Sequence, residues 1–184
     1  KIKILNKKKI LGEEVADIFV KSSNLKSIRC SKKIIVSCID DLPAIWIACA
    51  LTKGQSNFEG ISELRLKESD RIKSISEGLK AFGIKAYSTK DSLKIFGNPK
   101  IKPKKQIKIS ATLDHRIAMS FFVLAQLTES NVLIKGFETV KSSFPNFLNL
   151  QKKSEQNMKL NSKVRLLITC DSSAGAGKTT AAKY

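Results

Sequence analysis

The chain has 184 residues, 42% of them hydrophobic, and a formal charge of +18 from 34 Lys and Arg against 16 Asp and Glu. That apolar content is enough for a packed core and excludes wholesale disorder, and the length suits one domain or slightly more. No run approaches the roughly 18 apolar residues of a membrane span, and KIKILNKKKI at the start lacks the apolar core and cleavage site of a signal peptide, so a soluble, cytoplasmic protein with no membrane partner is expected.

The charge rests on 29 lysines and five arginines, scattered as Lys7-Lys8-Lys9, Lys32-Lys33, Lys104-Lys105 and Lys152-Lys153 without interleaved aromatics. Scatter of this kind marks solvated faces more than a nucleic-acid surface, and no nucleic-acid partner is expected; a positive field also concentrates small polyanions. Cys30, Cys38, Cys49 and Cys170 have no C-x-x-C spacing and there is a single histidine, so no metal site is expected.

In chain order, KIIVSC (33–38) reads as a β-branched strand and LPAIWIACALTKG as a buried helix, with Pro43 in its first turn and Gly54 past its end. SNFEG is a short strand. From Ser69 as N-cap, Ile72, Ile75, Leu79 and Phe82 recur at spacings of three, four and three, one apolar stripe of a helix that ends at Gly83. IKAYS and SLKIFG form a hairpin about Lys90-Asp91. The unit is β-α-β-α-β-β, and a partial second round follows: QIKIS as strand, DHRIAMSFFVLAQLT as helix, NVLIKG as strand and FPNFLNLQKK as a last helix. The fold class is mixed α/β. The expected division is 1–152, a polar linker at 153–163, and a new domain beginning at 164.

Three junctions into helices carry charge. IDDLP places Asp40 and Asp41 before Pro43; LRLKESDR places Lys67, Glu68 and Arg71 at a helix start; DHRIAMS places a carboxylate, His115 and Arg116 at another. Helix N-termini favour anions, and arginine adds a planar two-point grip on carboxylate or phosphate. Taken alone, each junction reads more readily as a salt-bridged or capped helix start than as a site. Their repetition in one architecture points to tips converging on a single ligand.

IDDLP, ELRLKESDR, DHRIAMS and SSFPNF, in this order and spacing, resemble the C-terminal part of the 3-phosphoshikimate 1-carboxyvinyltransferase (EPSP synthase) family over about residues 1–152. The resemblance implies a fold of repeated β-α-β-α-β-β units in two domains with the active site between them, of which this chain would hold part of one. It implies transfer of the enolpyruvyl group of phosphoenolpyruvate to the 5-hydroxyl of shikimate 3-phosphate, with release of phosphate and no cofactor. By the same resemblance Asp40 and Glu68 are the catalytic carboxylates, Lys67 contacts shikimate 3-phosphate and assists proton transfer, and Arg71 and Arg116, with His115 beside them, bind phosphoenolpyruvate. Asp40 is also a substrate contact. Many members carry a lysine two residues before the F-P of the last motif; Ser142 stands there, with Lys141 one residue earlier as the candidate. The N-terminal domain of the same polypeptide would supply the remaining contacts.

Beyond the linker, VRLLITC followed by DSSAGAGKTT has the strand and the G-K-T of a phosphate loop, with Ser172 where a first glycine is expected. Ala174, Gly175 and Gly177 would bring backbone N–H groups to phosphates, Lys178 would reach the β- and γ-phosphates, and Thr179 would hold magnesium. The stretch resembles the start of a cytidylate kinase. It implies ATP and Mg as ligands and a fused nucleoside monophosphate kinase as the alternative function.

Overall fold

The computed structural model describes residues 1–103, 106–111, 113–160 and 166–168, and the chain divides into two compact units, 1–23 with 148–184 and 24–147. In the smaller unit, β1 (Ile2–Ile10) and β2 (Glu13–Val20) form an antiparallel hairpin. Its two-residue turn, Leu11 at φ 51° and Gly12 at φ 89°, has both residues left-handed, the geometry that matches the twist of paired strands. Leu166–Ile168 adds antiparallel to β2.

The larger unit contains the repeat. β3 (Arg29–Cys30) leads through α1 (Lys32–Ser37) and a 3-10 turn (Ile39–Asp41) into α2 (Leu42–Ala50); β4 (Gly54–Glu59) leads through a second 3-10 turn (Ser62–Arg65) into α3 (Arg71–Ala81). The hairpin β5 (Lys85–Ser88) and β6 (Ser92–Gly97) completes a four-stranded sheet of order β3-β4-β6-β5, parallel at β3-β4 and antiparallel elsewhere. The partial second round is β7 (Ile107–Ser110), α4 (His115–Leu127) and β8 (Val132–Lys135), with β7 and β8 parallel. A third 3-10 turn (Phe137–Thr139), α5 (Val140–Ser143) and the start of α6 (Phe147–Leu160) follow. Leu166–Ile168 is β9.

The apolar stripe of α3 lies inward as its spacing requires: Ile72, Ile75, Leu79 and Phe82 are all buried. Trp46 on α2 meets Phe58 on β4 edge-on at 5.9 Å, and Phe82 stacks on Phe121 of α4 at 5.9 Å. Gly78 allows this last approach, because a Cβ there would lie 2.0 Å from the Phe121 ring. Phe122, Phe137, Phe144 and Phe147 form a smaller aromatic cluster under the end of this unit.

Three sequence-based expectations are corrected. KIIVSC is helix α1, although its β-branched residues favour a strand. The sheet position beside β4 is taken one step earlier, by Arg29 and Cys30, and only Ile35 of α1 is buried, with Ile34 and Val36 exposed; tertiary pairing overrides local propensity. Asp40 and Asp41 therefore belong to a 3-10 turn and not to a strand end. The N-cap of α3 is Asp70, whose carboxylate accepts from Lys73 N–H at 2.9 Å, not Ser69. The last helix starts at Phe147 and continues to Leu160, well into the stretch read as linker.

Candidate active site

Arg71 is the first residue of α3, and its side chain is only 1% exposed. A buried guanidinium needs partners for its charge and its N–H groups, and three carboxylates supply them. Nε donates to Asp114 Oδ2 at 2.9 Å, Nη1 to Asp40 Oδ1 at 3.0 Å and Nη2 to Glu68 Oε2 at 2.5 Å. Asp40 and Glu68, which lie 28 positions apart in sequence, are thus held on one planar fork, each about half exposed at 50% and 49%.

Asp114 is the inner anchor. It is fully buried, caps α4 by accepting from Arg116 N–H at 2.9 Å and Ile117 N–H at 3.4 Å, and also takes Ser69 Oγ at 3.0 Å. Burial works to raise its pKa, but the hydrogen bond and charge of Arg71, with those from Ser69 and Arg116, outweigh this and hold the carboxyl below the usual carboxylate range. One carboxylate therefore starts α4 and fixes the side chain that starts α3.

Lys67 and Arg116 flank the cluster. Lys67 Nζ lies 2.8 Å from Glu63 Oε1 and 3.7 Å from Asp40 Oδ1; its pKa is raised, first by the hydrogen bond to Glu63, against some desolvation and with help from Asp40. Arg116 Nη1 donates to the Asp40 carbonyl at 2.7 Å and lies 3.5 Å from Asp41 Oδ1. His115 is half-buried as the first residue of α4. Lys141 is exposed on α5 and takes no part in the ion pairs about Arg71.

The structure thus brings Asp40, Lys67, Glu68, Arg71 and Arg116 together and places His115 at the same helix start. Sequence reasoning noted the carboxylate of Asp114 at this helix start but gave it no role in the site, although the position before a helix that begins His-Arg is where a capping carboxylate belongs. It also left Arg65 without a task. Arg65 binds Asp70 Oδ2 at 2.6 Å, the Lys90 carbonyl at 2.8 Å and the Thr89 carbonyl, so it ties the N-cap of α3 to the β5-β6 turn.

Among the described residues no group of three or more His, Cys, Asp or Glu is arranged to hold a metal ion; the three carboxylates converge on Arg71 instead. A cavity of about 350 Å³ along α4 and β8, lined by Phe122, Ala125, Glu129 and Val132 among others, contains none of the charged junction residues. Chemically, the cluster offers two half-exposed carboxylates next to lysine and arginine, a combination suited to moving protons on an anionic substrate. Ala174, Gly175, Gly177, Lys178 and Thr179 lie outside the described residues.

The family model for EPSP synthase (3-phosphoshikimate 1-carboxyvinyltransferase) matches residues 2–150. The 3-phosphoshikimate 1-carboxyvinyltransferase of Zymomonas mobilis subsp. mobilis is 43% identical over 154 residues, 82% of this chain and 34% of that protein. That of Ruthia magnifica subsp. Calyptogena magnifica is 38% identical over 159 residues, 86% of this chain and 36% of that protein. The EPSP synthase structure from Acinetobacter baumannii determined at 2.37 Å superimposes with a TM-score of 0.77 at 37% identity, covering 83% of this chain and 35% of that one. The chain spans about a third of the length of these relatives. With both the charged junctions and the mixed α/β repeat in agreement, the chain belongs to the EPSP synthase family.

Proposed function

We propose that this chain is the C-terminal part of an enzyme that transfers the enolpyruvyl group of phosphoenolpyruvate to the 5-hydroxyl of shikimate 3-phosphate, and that it works in the cytoplasm without a cofactor. The observation that carries the reading is the gathering of Asp40 and Glu68 on Arg71 with Arg116 bound to the Asp40 backbone. In the reaction the hydroxyl oxygen bonds to C2 of phosphoenolpyruvate while C3 gains a proton; loss of a C3 proton and departure of phosphate then restore the double bond. One group must take the hydroxyl proton and another must serve C3, and two carboxylates in unequal surroundings can divide those tasks. Asp40, with Lys67 3.7 Å away, suits the hydroxyl side, and Glu68 suits the carbon side.

Arg71 and Arg116 are the grips for the phosphoenolpyruvate anion. Three of the five Arg71 N–H donors go to the protein's own carboxylates, so a substrate carboxylate competes there with Asp40 and Glu68 for the guanidinium, and a displaced carboxylate is left free to face the substrate. His115 stands by to contact substrate, and Lys141 would have to approach from α5. The remainder of the relatives' length supplies the other wall of the cleft, and closure of the two walls expels water. The kinase reading, with ATP and Mg on the 174–179 loop, has no observation among the described residues in its favour.

Steady-state assay of the full-length polypeptide encoded with this sequence tests the proposal. It should form the enolpyruvyl product and phosphate, and Glu68→Gln should cut turnover by a factor on the order of 10² to 10⁴. Near-normal turnover in that variant removes Glu68 from the mechanism. The 184-residue chain alone should bind shikimate 3-phosphate weakly and turn nothing over.

A further inference from the structure

Leu113 is held at φ 61°, a left-handed conformation that a branched side chain resists. It is the third residue of a turn closed by Asp114 N–H donating to the Ala111 carbonyl at 2.8 Å, the place where glycine or asparagine normally stands. Packing does not explain the leucine, whose side chain is 70% exposed. What holds the backbone there comes from the other end of the second round: Thr139 Oγ1 donates to the Leu113 carbonyl at 2.8 Å.

The next residue is Asp114, which anchors Arg71 and starts the helix carrying Arg116. Rotating Leu113 out of the left-handed region would swing Asp114 away from both. On the other side, Ser142 Oγ donates to the Thr139 carbonyl at 2.7 Å, so the Lys141-Ser142 turn and the Asp114 junction share one short chain of hydrogen bonds.

We propose that Thr139 is a positioning residue: its hydroxyl clamps the Leu113 carbonyl, fixes the strained turn, and thereby sets the Asp114 and Arg116 side of the anion site. Its kinetic consequence rests on the enolpyruvyl-transfer reading; its structural consequence does not. Thr139→Val removes the donor and keeps the shape. In the 184-residue chain, amide hydrogen exchange at Arg116 and Ile117, the two N–H groups capped by Asp114, should speed up about 2- to 12-fold, the range of one net hydrogen bond, while Ile75 in α3 is unchanged. In the full-length polypeptide the KM for phosphoenolpyruvate should rise by a similar factor with kcat little changed.

Thr139→Ser should restore both readouts, and Leu113→Gly in the Thr139→Val background should recover most of the loss, because glycine takes a positive φ without strain. Unchanged exchange at Arg116 and Ile117, an equal rise at Ile75, or a double variant no better than Thr139→Val would each overturn the clamp. Absence of turnover in the wild-type protein would sink the functional reading while the exchange measurement still decides Thr139.

Discussion

Replacing Arg71 by methionine, which keeps most of the volume and removes the charge, should strand Asp114. That carboxylate is 0% exposed against a guanidinium 1% exposed, the situation in which losing one partner costs about 3–5 kcal/mol. Asp114 would keep Ser69 Oγ and two backbone N–H groups, which favours the lower end, and the half-exposed Asp40 and Glu68 add at most about 1 kcal/mol each because water reclaims them. A loss of about 3–4 kcal/mol at pH 7 is expected. Urea unfolding followed by fluorescence of Trp46, the sole tryptophan and fully buried, reads the unit that holds the site. The pH dependence supplies a second check. In the wild type the folded Asp114 pKa lies below its ordinary 3.8, so its contribution is present above 3.8 and is lost as pH falls through the lower folded value. Without Arg71, burial is opposed only by the hydrogen bonds from Ser69 and the backbone N–H groups, and the folded pKa should rise above 3.8, so acidification from neutral pH relieves the variant before it touches the wild type. The stability gap should therefore narrow as pH approaches 4. A gap under about 1 kcal/mol at pH 7, or one that does not change with pH, would refute the picture of Asp114 as a buried anion neutralised by Arg71.

Gly78→Ala should destabilise by about 1–2 kcal/mol despite alanine's better helix propensity, because its Cβ would lie 2.0 Å from the ring of buried Phe121; urea midpoints would show it, and an alanine variant of equal or greater stability would mean that α3 and α4 separate freely. Arg65→Lys should lose the fork onto Asp70 and the Lys90 and Thr89 carbonyls at a cost of roughly 1–2 kcal/mol, with faster exchange of the Lys73 amide capped by Asp70; an unaltered rate there would deny Arg65 its role at the helix start. Arg116→Lys in the full-length polypeptide should raise the dissociation constant for phosphoenolpyruvate on the order of tenfold, since an ammonium has one point of charge where the guanidinium has a plane, and an unchanged constant in a binding titration would remove Arg116 from the anion grip.

The sequence by itself determined the local grammar. The three-four-three spacing of Ile72, Ile75, Leu79 and Phe82 has one solution, a helix with one buried face, and α3 buries all four. Strand alternation and turn residues placed the β5-β6 hairpin, and charged motifs at helix starts marked the three junctions before their meeting was visible. These features depend on neighbours within a few positions, which is the range over which periodicity and capping carry information. The tertiary structure decided the rest. Whether KIIVSC became strand or helix turned on which residues had already taken the sheet position beside β4. Which acid would face Arg71 was undetermined, because its two distant partners, Asp40 and Asp114, are 31 and 43 positions away, and the Arg116 bond to the Asp40 carbonyl spans 76. Charge pairs across such separations are chosen by packing: α3 and α4 approach closely because Gly78 lets them, and that approach sets the buried Asp114 against Arg71, while Asp40 and Glu68 meet the same guanidinium from its solvent side.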